Sequence, residues 1–199
     1  MLNNRYAEAV YGMLCLYGTI SINEIFIISY KCGLCDPSDY KVCMDIIGYN
    51  IIKGKKAYFK KNRLCHSLLK NESIVKDMQD ELCLSSYKMY TADEYILIGT
   101  TETRDTKEVK LFISYLRSRS SLSVHAIENE VLRIWTELNN IGDLVVLTEE
   151  CIDNLDLYFD SEKNCFNEVF IEINKLANSM PRWFCKGYSY SEVVKCYDC

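Results

Sequence analysis

Two Cys-x-x-Cys pairs come nearest to chemistry by type and spacing: Cys32/Cys35 in "KCGLC" and Cys196/Cys199 in "KCYDC". Zinc asks for four ligands in a tetrahedron. The pairs stand about 160 residues apart, against the roughly 15–20 of a compact zinc module. Cys185 with Cys196 and Cys199 supplies three ligands and lacks a fourth. A thioredoxin-like dithiol needs a βαβ setting, which the residue pattern does not provide. Of the two histidines, His66 follows Cys65 directly, but neighbours in sequence are not a nucleophile–base pair. No Gly-rich phosphate loop, His-Glu-x-x-His or Gly-x-Ser-x-Gly occurs. The sequence therefore offers no catalytic residue, no metal set, no cofactor and no small-molecule substrate. It points to a non-enzymatic protein, with a zinc- or redox-dependent accessory role as an alternative. Most of the 11 cysteines stand where an aliphatic residue would, such as Cys15, Cys43 and Cys83. There they act as small hydrophobes, which fits reduced, buried thiols in a cytosolic protein.

Charge carries more information. Between positions 53 and 70 the cations Lys53, Lys55, Lys56, Lys60, Lys61, Arg63 and Lys70 meet no Asp or Glu, and Tyr58 and Phe59 lie among them. Clustered Lys and Arg with aromatics form the electrostatic footprint of nucleic-acid binding. Between positions 143 and 172 the balance reverses: Asp143, Glu149, Glu150, Asp153, Asp156, Asp160, Glu162, Glu168 and Glu172 face Lys163 alone. A net charge of −5 thus hides a dipolar chain. An acidic face solubilises a protein, and it also docks on basic partners.

The elements that must hold these residues follow from periodicity and caps. With 199 residues, 49% of them hydrophobic, and only two prolines and eight glycines, a mainly α fold is favoured. Tyr6, Val10, Met13, Leu14 and Tyr17 recur at helical spacing, closed by Gly18. Ser21/Glu24, Thr91/Glu94, Asp105/Glu108 and Ser189/Glu192 have the spacing of capping boxes. Asp36 and Pro37 open a third helix with Val42, Cys43, Ile46 and Ile47 as its apolar stripe. The β-prone runs "YNII" and "AYFK" around Gly54 predict a hairpin over Ile51–Lys60, with "TIS" available as a third strand. Three helices and then a hairpin is the order of a winged helix. Later helical patterns include the stripe Val124, Ile127, Val131, Ile134, Trp135 and Leu138. Hence two parts are expected: a winged-helix-like domain over 1–90 and an all-helical domain over 91–199. No apolar run approaches the roughly 18–20 residues of a membrane span, and Ala9–Gly18 reads as a buried helix.

The last segment, "MPRWFCKGYSYSEVVKCYDC", reads as a helix end at Pro181, a corner turned at Gly187, and a short final helix. Trp183 and Tyr188 are expected to pack the corner, with Arg182 pairing to an acidic neighbour or a helix C-terminus. Together with the preceding Asn178, its Arg182, Trp183, Gly187, Ser189 and Glu192 resemble a segment of the SEC-C-motif-associated proteins of low-GC Gram-positive bacteria and their mobile elements. "LCLYGTISINEIF" and "YKMYTADEYILIG" are similar to their N-terminal start and middle helix. Tyr190 stands where that pattern has proline, and the SEC-C zinc knuckle itself is lacking. The resemblance implies a helical protein of the bacterial cytoplasm.

Together these features predict a cytoplasmic macromolecule-binding protein. Its foremost partner would be a protein with a basic surface, met by Glu149, Glu150, Asp153, Asp156 and Asp160, as in a regulator or inhibitor of a nucleic-acid-handling machine. The alternative is a nucleic acid held by Lys53, Lys55, Lys56, Lys60, Lys61 and Arg63. The presumed recognition helix, "DPSDYKVCMDIIGYN", holds three aspartates against one lysine, which disfavours contact with phosphates.

Overall fold

A computed structural model describes residues 2–82, 84, 86–101, 106–159 and 162–197; for residues 2, 3, 162–164, 196 and 197 it describes the backbone alone. The chain divides into two compact units. Unit 1 comprises Met1–Thr103 with Trp183–Gly187, and unit 2 comprises Arg104–Arg182 with Tyr188–Cys199.

Unit 1 has the winged-helix order: α1 (Leu2–Tyr17), β1 (Thr19–Ser21), α2 (Ile22–Lys31), α3 (Tyr40–Ile46), β2 (Ala57–Lys60) and β3 (Arg63–His66), followed by α4 (Glu72–Glu81) and α5 (Ala92–Thr101). The strands form an antiparallel sheet in the order β1-β3-β2, with Ile20 opposite Leu64 and Tyr58 opposite Cys65. "TIS" is thus the third strand. The hairpin itself is displaced from the predicted Ile51–Lys60 to Ala57–His66, turning at Lys61, which takes a left-handed φ of 55°. "YNII" instead lies in a wide π-type turn, Ile47–Ile52, that prolongs α3. Burial explains the difference. Cys43, Ile46, Ile47 and Ile51 are spaced for one helical face and all are buried, and this face overrides the local β preference of two adjacent isoleucines. Val42 falls off that face and is exposed.

α1 is apolar nearly all round, as befits a central helix. Tyr6, Val10, Met13, Leu14 and Tyr17 are buried, and so are Ala9, Tyr11, Cys15 and Leu16. α5 packs along α1, so the residues from Thr91 to Thr103 belong to unit 1. Two glycines permit that approach. A Cβ on Gly12 would stand 1.9 Å from the Tyr95 carbonyl oxygen, and one on Gly99 would stand 1.9 Å from that of Glu8.

Three of the expected capping boxes close in both directions. Ser21 N–H donates to Glu24 Oε2 (3.1 Å) and Glu24 N–H to Ser21 Oγ (3.2 Å). Thr91 with Glu94 repeats this at 2.7 and 3.3 Å, and Ser189 with Glu192 at 2.7 and 3.3 Å. Asp105 lies outside the described residues; Thr106 Oγ1 accepts from Val109 N–H at the start of α6.

Unit 2 is helical: α6 (Lys107–Arg117), α7 (Val124–Asn139), α8 (Leu144–Leu155), α9 (Glu162–Ser179) and α10 (Tyr190–Tyr197). α6 packs on α7 and α9, α8 packs on α7 and α9, and α10 rests on α9. Ile127, Val131, Ile134, Trp135 and Leu138 of α7 are buried as predicted, while Val124 is exposed. Buried Arg182 donates through Nη1 to the Ala177 carbonyl (3.0 Å) and through Nη2 to that of Leu138, so it serves two helix C-termini. Pro181 and Ser189 form an isolated antiparallel bridge.

The corner residues 183–187 are built into unit 1. Trp183 is fully buried, and its Nε1 donates to the Cys15 carbonyl at 2.8 Å. Its own carbonyl accepts from Gln79 Nε2 at 2.7 Å. Lys88 N–H donates to the Lys186 carbonyl (3.0 Å) and the Tyr90 hydroxyl to that of Gly187 (2.8 Å). Gly187 has a φ of 84° and leaves 2.6 Å between its would-be Cβ and the Tyr17 ring, so the turn requires glycine. Among the described residues no helix is long and apolar enough to cross a membrane.

Candidate protein-docking groove

The capping box of Ser21 and Glu24 starts α2, and α2 has two apolar faces. Ile22, Ile25, Ile28 and Ser29 turn inward and are buried. Asn23, Phe26, Ile27 and Tyr30, spaced i, i+3, i+4 and i+7, turn toward a groove. Its other side comes from the Cys35–Tyr40 segment, where Pro37 opens a 3-10 turn and Tyr40 begins α3, so the helix expected to open at Asp36 and Pro37 starts as that turn. Tyr40 stacks on Phe26 with ring centroids 4.5 Å apart and planes at 30°, so the aromatic wall is already formed. Ile27, Tyr30 and Tyr40 are 53%, 59% and 51% exposed. The groove encloses about 500 Å³. Its lining includes one carboxylate, Asp36, one amide, Asn23, and no cation.

This site was not singled out from the sequence. The available signal was "INEIFIISYK", which is apolar on more of its circumference than one core contact uses. Nothing local distinguishes the face that meets the core from the face that stays open.

The predicted basic wing is split. Lys53, Lys55 and Lys56 precede β2, Lys60 is its last residue and Lys61 follows it. Three strand residues between them set the two groups roughly 10–13 Å apart. All five are exposed, but several are engaged. Lys53 Nζ lies over the Tyr49 ring at 4.7 Å and Lys56 Nζ over the Tyr11 ring at 4.3 Å. Lys60 pairs with Glu72 at 3.4 Å. Arg63 is an internal strut: it donates to Thr19 Oγ1 and the Thr19 carbonyl (3.0 Å each), to the Tyr87 hydroxyl (3.2 Å) and toward Glu72 (3.6 Å). Glu72, two residues beyond the acid-free stretch, folds back on it.

Of the acidic candidates, Glu149, Glu150, Asp153 and Asp156 are exposed on or at the end of α8; Asp160 lies outside the described residues. Glu150 accepts from Arg133 Nη1 at 2.6 Å. Arg133 is also clamped on Glu130, at 2.6 and 3.0 Å. Glu168 pairs with Arg119 and Glu172 with Lys175. The acidic surface is therefore partly neutralised.

The groups with chemical potential are placed for packing. His66, 2% exposed, lies between the rings of Tyr11 (5.5 Å) and Trp183 (5.3 Å). Its Nδ1 accepts from Leu68 N–H at 3.1 Å, so the neutral ring carries its proton on Nε2, which faces Cys15 Sγ at 3.9 Å. Burial lowers the His66 pKa to about 4. The sulfurs of Cys32 and Cys35 have separate surroundings. Cys32 donates to the Tyr90 carbonyl at 3.2 Å, and burial raises its pKa. Cys35 is buried at the groove, and burial with the nearby Cys43 thiol pushes its pKa up to about 12. Such thiols are poor nucleophiles at neutral pH. Cys185 is buried, whereas the side chains of Cys196 and Cys199 lie outside the described residues. Among the described residues no three His, Cys, Asp or Glu side chains gather as a metal set.

No protein-family model, curated protein or solved structure matches this chain.

Proposed function

We propose that this is a non-enzymatic protein-binding module that engages its partner through the α2–α3 groove of unit 1. One observation carries this reading: a preformed aromatic wall, Phe26 stacked on Tyr40, beside the half-exposed Ile27 and Tyr30. Exposed tyrosines and aliphatics gathered in one concave patch are the usual anchors of protein contacts, because they bury much apolar area at small entropic cost. The position of α3 in the chain is that of the recognition helix of a winged helix. Here it starts beside Asp36 and Asp39 and carries Asp45, so it repels phosphate and suits a polypeptide. The exposed acids of α8 support the same class of partner through steering rather than anchoring.

The test is a photo-crosslinking amino acid placed at Tyr30, with a second placement at the exposed Ile171 of unit 2 as control. The expected result is a polypeptide adduct formed from position 30, absent from position 171, and lost when Ile27→Asp is added. Equal adducts from both positions, or nucleic acid recovered at position 30, would refute the assignment.

A further inference from the structure

Resting on that reading, we propose that the groove takes a short linear segment that sets a bulky apolar anchor beside a lysine or arginine. Size argues for a segment. Asn23 to Tyr30 spans roughly 10 Å of helix axis, the length of two helical turns or about three extended residues. A volume of about 500 Å³ accommodates a few large side chains. The wall sets the anchor's chemistry. Phe26, Ile27, Tyr30, Pro37 and Tyr40 offer ring faces and methyl groups, and Cys35 adds a thiol held neutral by its burial.

Charge selects the neighbour. Asp36 lines the groove and is exposed, so it stays solvated while the groove is empty. An occupant covering the groove draws that carboxylate toward a less polar setting, which is tolerated when a cation pairs with it. Lys31 and Lys41 stand close in sequence but do not line the groove, so the occupant has to bring the cation. An acidic occupant meets a like charge with nothing at the wall to offset it.

The experiment pans a random-peptide display library on the full chain. The enriched peptide is then labelled and titrated, by fluorescence anisotropy, against the parent and three variants: Ile27→Asp, Tyr30→Ala and Asp36→Asn. The first two change half-exposed side chains, and Asn retains the helix-start geometry of Asp36, so thermal melts should confirm folded proteins. The expected consensus is an aromatic or aliphatic residue adjacent to Lys or Arg. Binding should weaken about tenfold or more in Ile27→Asp and Tyr30→Ala, and severalfold in Asp36→Asn with a shallower salt dependence. Acidic or uncharged consensus peptides that still require Ile27, or binding indifferent to Asp36→Asn, would overturn the cation requirement and leave the groove as the docking site. Enrichment insensitive to Ile27→Asp and Tyr30→Ala would overturn both. A duplex oligonucleotide bound by the parent and released by Ile27→Asp would assign the groove to nucleic acid instead, and would also overturn both.

Discussion

His66 shows how a residue's surroundings decide its role. The same imidazole that could serve a thiol as base is held neutral between two rings, with Nδ1 accepting from backbone and Nε2 facing Cys15. Its folded pKa, about 4, lies below the unfolded value near 6.5. Between those limits the unfolded chain binds a proton that the folded chain does not. Stability is therefore fully present above about pH 6.5 and falls as pH drops toward 4. The loss from this group is about 3 kcal/mol. Denaturant titrations of the parent and of His66→Met across this range should differ in pH slope, the variant being flatter. Identical slopes would mean that His66 titrates normally. The cysteines follow the same logic, because burial raises Cys32 and Cys35 and makes them poor nucleophiles at neutral pH.

At the scale of elements, the α1–α5 crossing sets the strictest steric limit. Gly99→Ala places a methyl group 1.9 Å from the Glu8 carbonyl, and backbone on both helices must move apart. The expected cost is about 3 kcal/mol. Gly48→Ala is the contrast, since nothing stands within 4 Å of its added Cβ and the site is helical. It should stabilise unit 1 by about 0.5–1 kcal/mol. Chemical denaturation of the two variants tests both signs, and equal effects would contradict the close crossing. Elements are also where the sequence was most and least legible. Ser21, Thr91 and Ser189 each announce a helix start because a capping box is complete within four residues. The hairpin was displaced because Asn50-Ile51-Ile52 looks β-prone alone, whereas the buried face of Cys43, Ile46, Ile47 and Ile51 spans about two helical turns.

Across the whole molecule, the chain order does not coincide with the compact units. Trp183–Gly187 belongs to unit 1, where Trp183 fills the core beside His66 and hydrogen bonds to Cys15. Trp183→Ala should cost about 4 kcal/mol. Hydrogen exchange should then show lost protection in α1 and β3, with α7 and α8 unchanged. Equal loss in α7 would mean that the corner is not part of unit 1. Electrostatics at this scale disfavour the wing as a strong nucleic-acid site. Its lysines form two groups at the two ends of β2, Lys60 is paired with Glu72, and Arg63 is turned inward. Fluorescence anisotropy with duplex DNA at physiological salt should show no sub-micromolar binding. Reversing Lys53, Lys55, Lys56, Lys60 and Lys61 to Glu should leave partner binding at the groove largely unchanged. Sub-micromolar, salt-sensitive duplex binding abolished by that reversal would restore the wing to first place.

The sequence by itself determined the helical class, the strand "TIS", three capping boxes, the buried stripes of α1 and α7, and the corner at Gly187. The caps and the corner are encoded within one or two turns of chain and the stripes along single helices, where cap chemistry and periodicity act without help, whereas the strand also needs its partner β3. Only the tertiary structure decided which face of α2 meets the core and which borders the groove, because Ile22, Ile25 and Ile28 are chemically like Phe26, Ile27 and Tyr30. It also decided that Glu72 returns against the basic stretch, that Arg63 braces β1, and that Trp183 completes a core begun by Cys15 and His66. Those pairings join residues up to 168 positions apart, and packing chooses them.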